Sequence, residues 1–163
     1  MAKYSQANEL AFQNVSRITL PIYYEDTDFT GYVFHANFLK YFDRAREEAL
    51  GLKFVKELYD AGKHFVVRKA EINYLRPVKH SDTLVIESQV KYSDSPLVIF
   101  RHEAYVLSNL DDQNNPMVVE GLIELVSINK RGRPQRLPRE VQEHFKTETA
   151  NAAGVSDGKH NKH

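Results

Sequence analysis

One stretch of the chain, residues 23–48, places several chemically useful side chains close together. Asp28 stands in an acidic turn, Gly31 follows it, and His35 precedes the predicted start of a helix. A carboxylate in such a turn can act as a nucleophile or as the base that activates water. The first N–H groups of a helix have no partner within the helix, so they can stabilise an oxyanion. Gly31 permits a backbone conformation that a side chain would disfavour.

The histidine is followed by an amphipathic helix. Its apolar residues recur with a period of 3.6; they are Phe38, Leu39, Phe42, Ala45, Ala49 and Leu50. Asn37 stands just ahead of this stripe and is predicted to cap the helix, and Gly51 is predicted to end it. At roughly 15 residues the helix would be about 22 Å long, which is enough to cross a small sheet. A shorter helix is predicted over residues 53–60.

Most of the remaining chain consists of apolar, β-branched segments separated by short turn-like stretches. These segments predict strands at residues 17–24, 65–75, 83–92, 97–108 and 117–129. Pro21 places the first strand at a sheet edge or at a bulge. Short connections between long strands imply antiparallel pairing, so the sequence predicts an α+β fold with one long helix against a five-stranded antiparallel sheet. The other face of the sheet then needs cover, which favours an oligomer.

Composition excludes several classes of protein. The chain has 163 residues, 22 Lys+Arg, 22 Asp+Glu and no Cys, which excludes disulfides, thiolate zinc sites and cysteine nucleophiles. Balanced charge argues against nucleic acid as the main partner. No apolar run approaches the roughly 20 residues of a membrane span, and no secretory signal is visible, so a cytoplasmic location is expected. We expect an N-terminal segment at 1–14, one domain at 15–145 and a disordered polar tail at 146–163.

The whole motif carries a family resemblance. The matching residues are Asp26, Thr27, Asp28, Gly31, Val33, His35, Ala36, Asn37, Phe42, Ala45 and Arg46. This pattern resembles that of the acyl-CoA thioesterases of the hot-dog fold, in the branch of the 4-hydroxybenzoyl-CoA thioesterases and YbgC-like proteins. The order of strands agrees along residues 15–145. Phe34 stands where a tyrosine is often found in this branch.

The resemblance implies a role for each residue of the motif. Asp28 would be the catalytic carboxylate, and the backbone N–H of His35 would polarise the thioester carbonyl, with its side chain helping to place substrate or water. Asn37 would cap the helix, and Gly31 and Tyr24 would shape the site. The resemblance implies a homodimer or homotetramer with the acyl-CoA site between subunits, and hydrolysis without a cofactor or metal.

Several alternatives remain open at this point. Asp28 and His35 could be a turn residue and a polar cap, and the protein could bind acyl-CoA without hydrolysing it, or be a hydratase of the same fold. A thioester of an acyl carrier protein is an alternative substrate, and the acyl group is not defined. Asp28 could attack the thioester or deprotonate water, and burial at a subunit interface is expected to raise its pKa.

A basic stretch follows the last predicted strand. Residues 130–139 contain five cations and no acid; these are Lys130, Arg131, Arg133, Arg136 and Arg139. They could contact the phosphates of CoA, attract an anionic membrane surface, or simply form a solvated loop. Arg76 and Lys69, near the end of the second predicted strand, are further candidates for phosphate contacts.

Overall fold

The computed structural model describes residues 11–109, 114 and 116–156. The strands span Gln13–Pro21 (β1), His64–Tyr74 (β2), Thr83–Tyr92 (β3), Leu97–Val106 (β4) and Val119–Ile128 (β5). The helices span Asn37–Leu50 (α1), Leu52–Asp60 (α2) and Arg139–Ser156 (α3), and α1 and α2 lie between β1 and β2 in sequence. All five predicted strands and both predicted helices are present, whereas α3 was not predicted.

The strands form one antiparallel sheet in the order β1-β3-β4-β5-β2. This arrangement confirms the predicted α+β fold. Pro21 ends β1, which is an edge strand as predicted, and there a missing N–H breaks no internal ladder. β1 begins earlier than predicted because Gln13 already pairs with Val90 of β3. β2 forms the other edge, and most of its residues are exposed.

Helix α1 packs against the sheet through its predicted apolar stripe. Phe42 and Ala45 are fully buried in a cluster with residues of β3, β4 and β5. Gly121 of β5 makes the close approach possible, because a Cβ atom there would lie 2.4 Å from Cε2 of Phe42. The helix ends at Gly51 as predicted, where φ is +78°. Its position over the sheet fixes where its first residues lie.

A buried polar network fixes α1 further. Nη1 of Arg46 lies 3.2 Å from Nε2 of His102 in β4, and Nδ1 of His102 lies 2.8 Å from Oγ of Ser88 in β3. Because arginine only donates, Nε2 accepts and the proton sits on Nδ1, which donates to Ser88. Burial, helped by the charge of Arg46, lowers the pKa of His102 to about 3, so the ring is neutral. Arg46 also pairs with Asp43.

The C-terminal part of the chain departs from expectation. We predicted a disordered polar tail from residue 146, but α3 continues to Ser156, so the prediction is wrong for residues 146–156. The helix is anchored by Val141 and Phe145, which are buried against β3, β4 and the ends of α1 and α2 in a second apolar cluster. Residues 157–163 of the expected tail and 1–10 of the expected N-terminal segment lie outside the described residues. Among those described, no helix is both long and apolar enough to cross a membrane.

Candidate active site

The acidic turn is closed by backbone hydrogen bonds. The N–H of Asp28 donates to the carbonyl of Tyr32 at 3.0 Å, and the N–H of Gly31 donates to the carbonyl of Asp28 at 3.0 Å. Gly31 has a φ of +80°, where a side chain would be strained. A Cβ atom there would contact nothing within 4 Å, so glycine is needed for its backbone conformation rather than for space.

The carboxylate of Asp28 is held at the surface of this turn. Its Oδ1 accepts hydrogen bonds from the N–H and the hydroxyl of Thr30, at 2.8 and 2.5 Å. These bonds, with His35 nearby, lower the pKa of Asp28 below its ordinary value. The expectation was a raised pKa through burial at a subunit interface; in the single chain the carboxylate is exposed and its pKa moves the other way.

The start of α1 presents two N–H groups that donate no hydrogen bond within the described part of the chain, those of His35 and Ala36. Each N–H belongs to a peptide unit whose carbonyl oxygen accepts a hydrogen bond. The carbonyl of Phe34 accepts from the N–H of Asn37 at 2.9 Å, and that of His35 accepts from the N–H of Phe38 at 3.3 Å. A hydrogen bond to a carbonyl orients and polarises the N–H of the same peptide unit. The two groups are therefore fixed donors.

The predicted cap is wrong in detail. The N-cap position is Ala36, no side chain caps the helix, and Asn37 is its first residue. The buried side-chain amide of Asn37 instead donates to the carbonyl of Asp26 at 2.9 Å, and the N–H of Phe34 donates to the same carbonyl at 2.9 Å. The turn before the helix brings that carbonyl within reach, so Asn37 ties the acidic loop to the helix start.

Tyr74, the last residue of β2, was not predicted as part of the site. Its hydroxyl donates to the carbonyl of His35 at 2.9 Å, and its ring stands edge-on to that of His35 with centroids 6.2 Å apart. The bond holds the peptide unit that carries the N–H of Ala36. The two residues are 39 positions apart, so no local sequence pattern could reveal the contact.

An open cleft of about 290 Å³ lies beside the helix start, lined by His35, Tyr74, Arg76 and mostly apolar side chains. Asp28 is on the neighbouring turn rather than in the wall of this cleft. Tyr24, predicted to shape the site, is also absent from the wall: it is 82% exposed and its ring approaches that of His80. The structure thus gathers the helix start and the end of β2, with the acidic turn adjoining them.

Comparison with known proteins now gives the family. The sequence model described as the thioesterase-like superfamily matches residues 23–145, which include the acidic turn, the helix start and the four strands β2, β3, β4 and β5. The chain belongs to the thioesterase-like superfamily. The resemblance predicted from the motif is therefore confirmed.

Three relatives illustrate how similar the chain is to other members of the superfamily. It is 36% identical over 88 residues to the acyl-CoA thioesterase YbgC of Helicobacter pylori; the match covers 54% of this chain and 65% of that protein, less than two thirds of its length. It is 30% identical over 128 residues to YbgC of Haemophilus influenzae, covering 76% of this chain and 89% of the relative. The crystal structure of a probable thioesterase from Bartonella henselae matches with a TM-score of 0.60 and 32% identity. The match covers 78% of this chain and 100% of that one.

The basic stretch of this thioesterase-like chain lies far from the helix start. His64 pairs with Ile128, just before the stretch, whereas Tyr74 at the other end of β2 pairs with Val119. β2 has 11 residues, so at roughly 3.3 Å per residue its ends are about 33 Å apart. Arg136 is also occupied by an ion pair with Asp94. Within one chain, the stretch is thus separated from His35 by the length of the sheet.

Proposed function

We propose that this thioesterase-like protein hydrolyses an acyl- or aroyl-CoA thioester to a free carboxylic acid and CoA. The observation that carries the proposal is the pair of fixed N–H groups of His35 and Ala36 beside the turn of Asp28, which donate to no other described residue. Relatives named as acyl-CoA thioesterases support CoA as the carrier of the acyl group. A thioester of an acyl carrier protein is the alternative substrate.

The proposed mechanism assigns one task to each group. The N–H of His35, with that of Ala36 beside it, would receive the thioester oxygen as negative charge develops there; loss of one such donor typically lowers kcat about 10²–10³-fold. Ionised Asp28 would then attack the carbonyl carbon, expelling the CoA thiolate and leaving a mixed anhydride that water hydrolyses. Alternatively it would take a proton from water while the resulting hydroxide attacks the same carbon and expels the CoA thiolate, which is then protonated. Both routes use the ionised carboxylate, which the hydrogen bonds from Thr30 favour.

We also propose a homodimer joined along the open edge of β2, with the site at the interface. Val66, Val67 and Tyr74 expose 44, 51 and 49% of their surface on this strand. A two-fold axis at Ala70 would place Lys69 opposite Glu71 of a second copy and close the unpaired edge. Sedimentation equilibrium measures the mass directly, and a monomer at assay concentrations would contradict the proposed homodimer. The absence of Cys from the sequence fits the proposed cytoplasmic location.

The decisive experiment measures free thiol released from a panel of acyl-CoAs, from short to long chains and including benzoyl and hydroxyaryl thioesters. Wild type is compared with Asp28→Asn, in which the amide oxygen can still accept from Thr30. Asp60→Asn is the matched control, because Asp60 makes an exposed ion pair with Lys56 on α2. We expect turnover to vanish in Asp28→Asn and to persist in the control. Turnover retained in Asp28→Asn would reject the assignment of Asp28; tight acyl-CoA binding without turnover in wild type would indicate a binding module instead.

A further inference from the structure

The cleft beside His35 continues past the end of β2. Its wall shares Tyr32, Arg76 and Pro77 with a second cleft of about 420 Å³, which Lys79 and Asp82 also line. Two adjoining clefts therefore lie between the helix start, where the thioester is proposed to bind, and the exposed side chains of Arg76 and Lys79. Such a layout matches a substrate with an uncharged arm and a phosphorylated end.

Arg76 and Lys79, which follow β2, make no ion pair with any residue in the described ranges, although two cations on β2 do. Arg68 pairs with Glu124 at 3.0 Å and Lys69 with Glu71 at 2.9 Å. The carboxylate of Asp82 accepts the backbone N–H of Lys79 at 3.0 Å and lines the same cleft. The side-chain charges of Arg76 and Lys79 are thus available to an anionic ligand.

The backbone that carries these cations is fixed relative to the site. The N–H groups of Leu75 and Arg76 both donate to the carbonyl of Val118, at 2.9 and 3.0 Å. Lys79 pairs with Tyr32 of the acidic loop in an isolated β-bridge, and the N–H of Val33 donates to the carbonyl of Val78 at 2.7 Å. The chain segment after β2 is therefore tied to the loop that carries Asp28.

We propose that Arg76, together with Lys79, binds the phosphate groups that follow the pantetheine arm of the substrate. Guanidinium groups suit phosphate because they form two parallel hydrogen bonds with it, and an ammonium group adds a point charge. The proposal rests on the proposed thioesterase function. It assigns the phosphates to these two cations, which line the clefts beside the site, rather than to residues 130–139, which line neither cleft.

The test compares three thioesters of one acyl group: acyl-CoA, acyl-4′-phosphopantetheine and acyl-pantetheine, which has no phosphate. The variants are Arg76→Ala, Lys79→Ala and the double substitution, and Arg131→Ala/Arg133→Ala tests the competing assignment to the basic stretch. We expect the KM for acyl-CoA to rise at least about tenfold in Arg76→Ala, as loss of a charge-assisted hydrogen bond implies. The kcat for acyl-CoA and the KM for acyl-pantetheine should stay within about twofold of wild type.

The three substrates separate the possible sources of phosphate. A rise in KM that extends to acyl-4′-phosphopantetheine places the contact at the phosphate that CoA and a carrier protein share. A rise confined to acyl-CoA places it on the nucleotide. An equal rise in KM for acyl-pantetheine would overturn the proposal, because a general distortion of the site would then explain the rise. An unchanged KM for acyl-CoA in Arg76→Ala would also overturn it. So would a rise in KM that is seen only in Arg131→Ala/Arg133→Ala.

Failure of the thioesterase function is distinguishable from failure of the phosphate site. If wild type turns over none of the three thioesters, the proposed function fails, and titration calorimetry with CoA itself decides the inference. CoA binding to wild type that weakens at least about tenfold in Arg76→Ala would retain the site. No binding to wild type, or equal binding to both proteins, would overturn it. Thermal unfolding of each variant establishes that it is folded.

Discussion

The hydroxyl of Tyr74 offers a sharp test of the proposed oxyanion donors. Tyr74→Phe removes one hydrogen bond, that to the carbonyl of His35, and keeps the ring that packs near His35 and Phe38. The carbonyl of His35 keeps only its longer bond from the N–H of Phe38, at 3.3 Å. The peptide unit that presents the N–H of Ala36 is therefore less firmly oriented, while the donor itself is still present.

The expected effect follows from that single bond. A hydrogen bond of this kind contributes about 1 kcal/mol, which corresponds to about fivefold in rate if all of it is expressed in the transition state. We expect kcat to fall about three- to tenfold, well short of the roughly 10²–10³-fold loss expected when an oxyanion donor is removed. KM should change little, because the bond orients a group whose interaction strengthens only as charge develops.

The assay is thiol release with full kcat and KM determination, together with thermal unfolding. Tyr105→Phe is the control, because it removes a hydrogen bond of similar length, 2.9 Å to Glu103, from a side chain that alternates with buried Ala104 and Val106 and so faces away from α1. If both variants lose similar stability but kcat falls only in Tyr74→Phe, the result would support the role of the Tyr74 hydroxyl in orienting the oxyanion donor. An unchanged kcat in Tyr74→Phe, or an equal fall in both variants, would refute it.

Two further predictions concern the packing of α1 and the ionisation of Asp28. Gly121→Ala should destabilise the protein by about 1–3 kcal/mol, because its Cβ atom would lie 2.4 Å from Phe42; chemical denaturation measures this, and an unchanged midpoint would contradict it. Because the pKa of Asp28 is lowered, kcat/KM should fall with decreasing pH only below the ordinary range of aspartate. Thr30→Val, which removes the hydroxyl donor, should move this acid limb to higher pH, and a limb that does not move would count against Asp28 as the titrating group.

Much of the fold was predictable because its signals are local. The apolar stripe through Phe38, Phe42 and Ala45 predicted α1, and the alternating residues 83–92 predicted β3 with the bounds that the structure shows. The end of the chain was not predictable in this way. Residues after 145 are small and polar, and their helix continues from an anchor at Val141 and Phe145 that is buried only because the sheet and the other helices are present.

In the candidate site, too, the local features were predictable from the sequence and the long-range contacts were not. Asp28, Gly31 and His35 lie within eight successive residues, so their proximity follows from the sequence itself. The contact of Tyr74 with His35 depends on where an edge strand ends relative to a helix, and that is decided by sheet register. The same register places residues 130–139 at the far end of β5 and Arg76 at the near end of β2. From the sequence both groups were candidates for phosphate contacts, whereas within one chain only Arg76 lines the cleft beside His35.

The lowered pKa of Asp28 bears on how the site would accelerate the proposed reaction. Burial at a subunit interface was expected to raise the pKa of this carboxylate and so make it a stronger base. In the single chain the carboxylate is instead exposed and stabilised in its charged form by Thr30, which lowers its basicity. A weakly basic carboxylate contributes to rate chiefly through its placement against a polarised carbonyl. The hydrogen bonds that orient the N–H groups of His35 and Ala36 then contribute to the proposed reaction alongside Asp28.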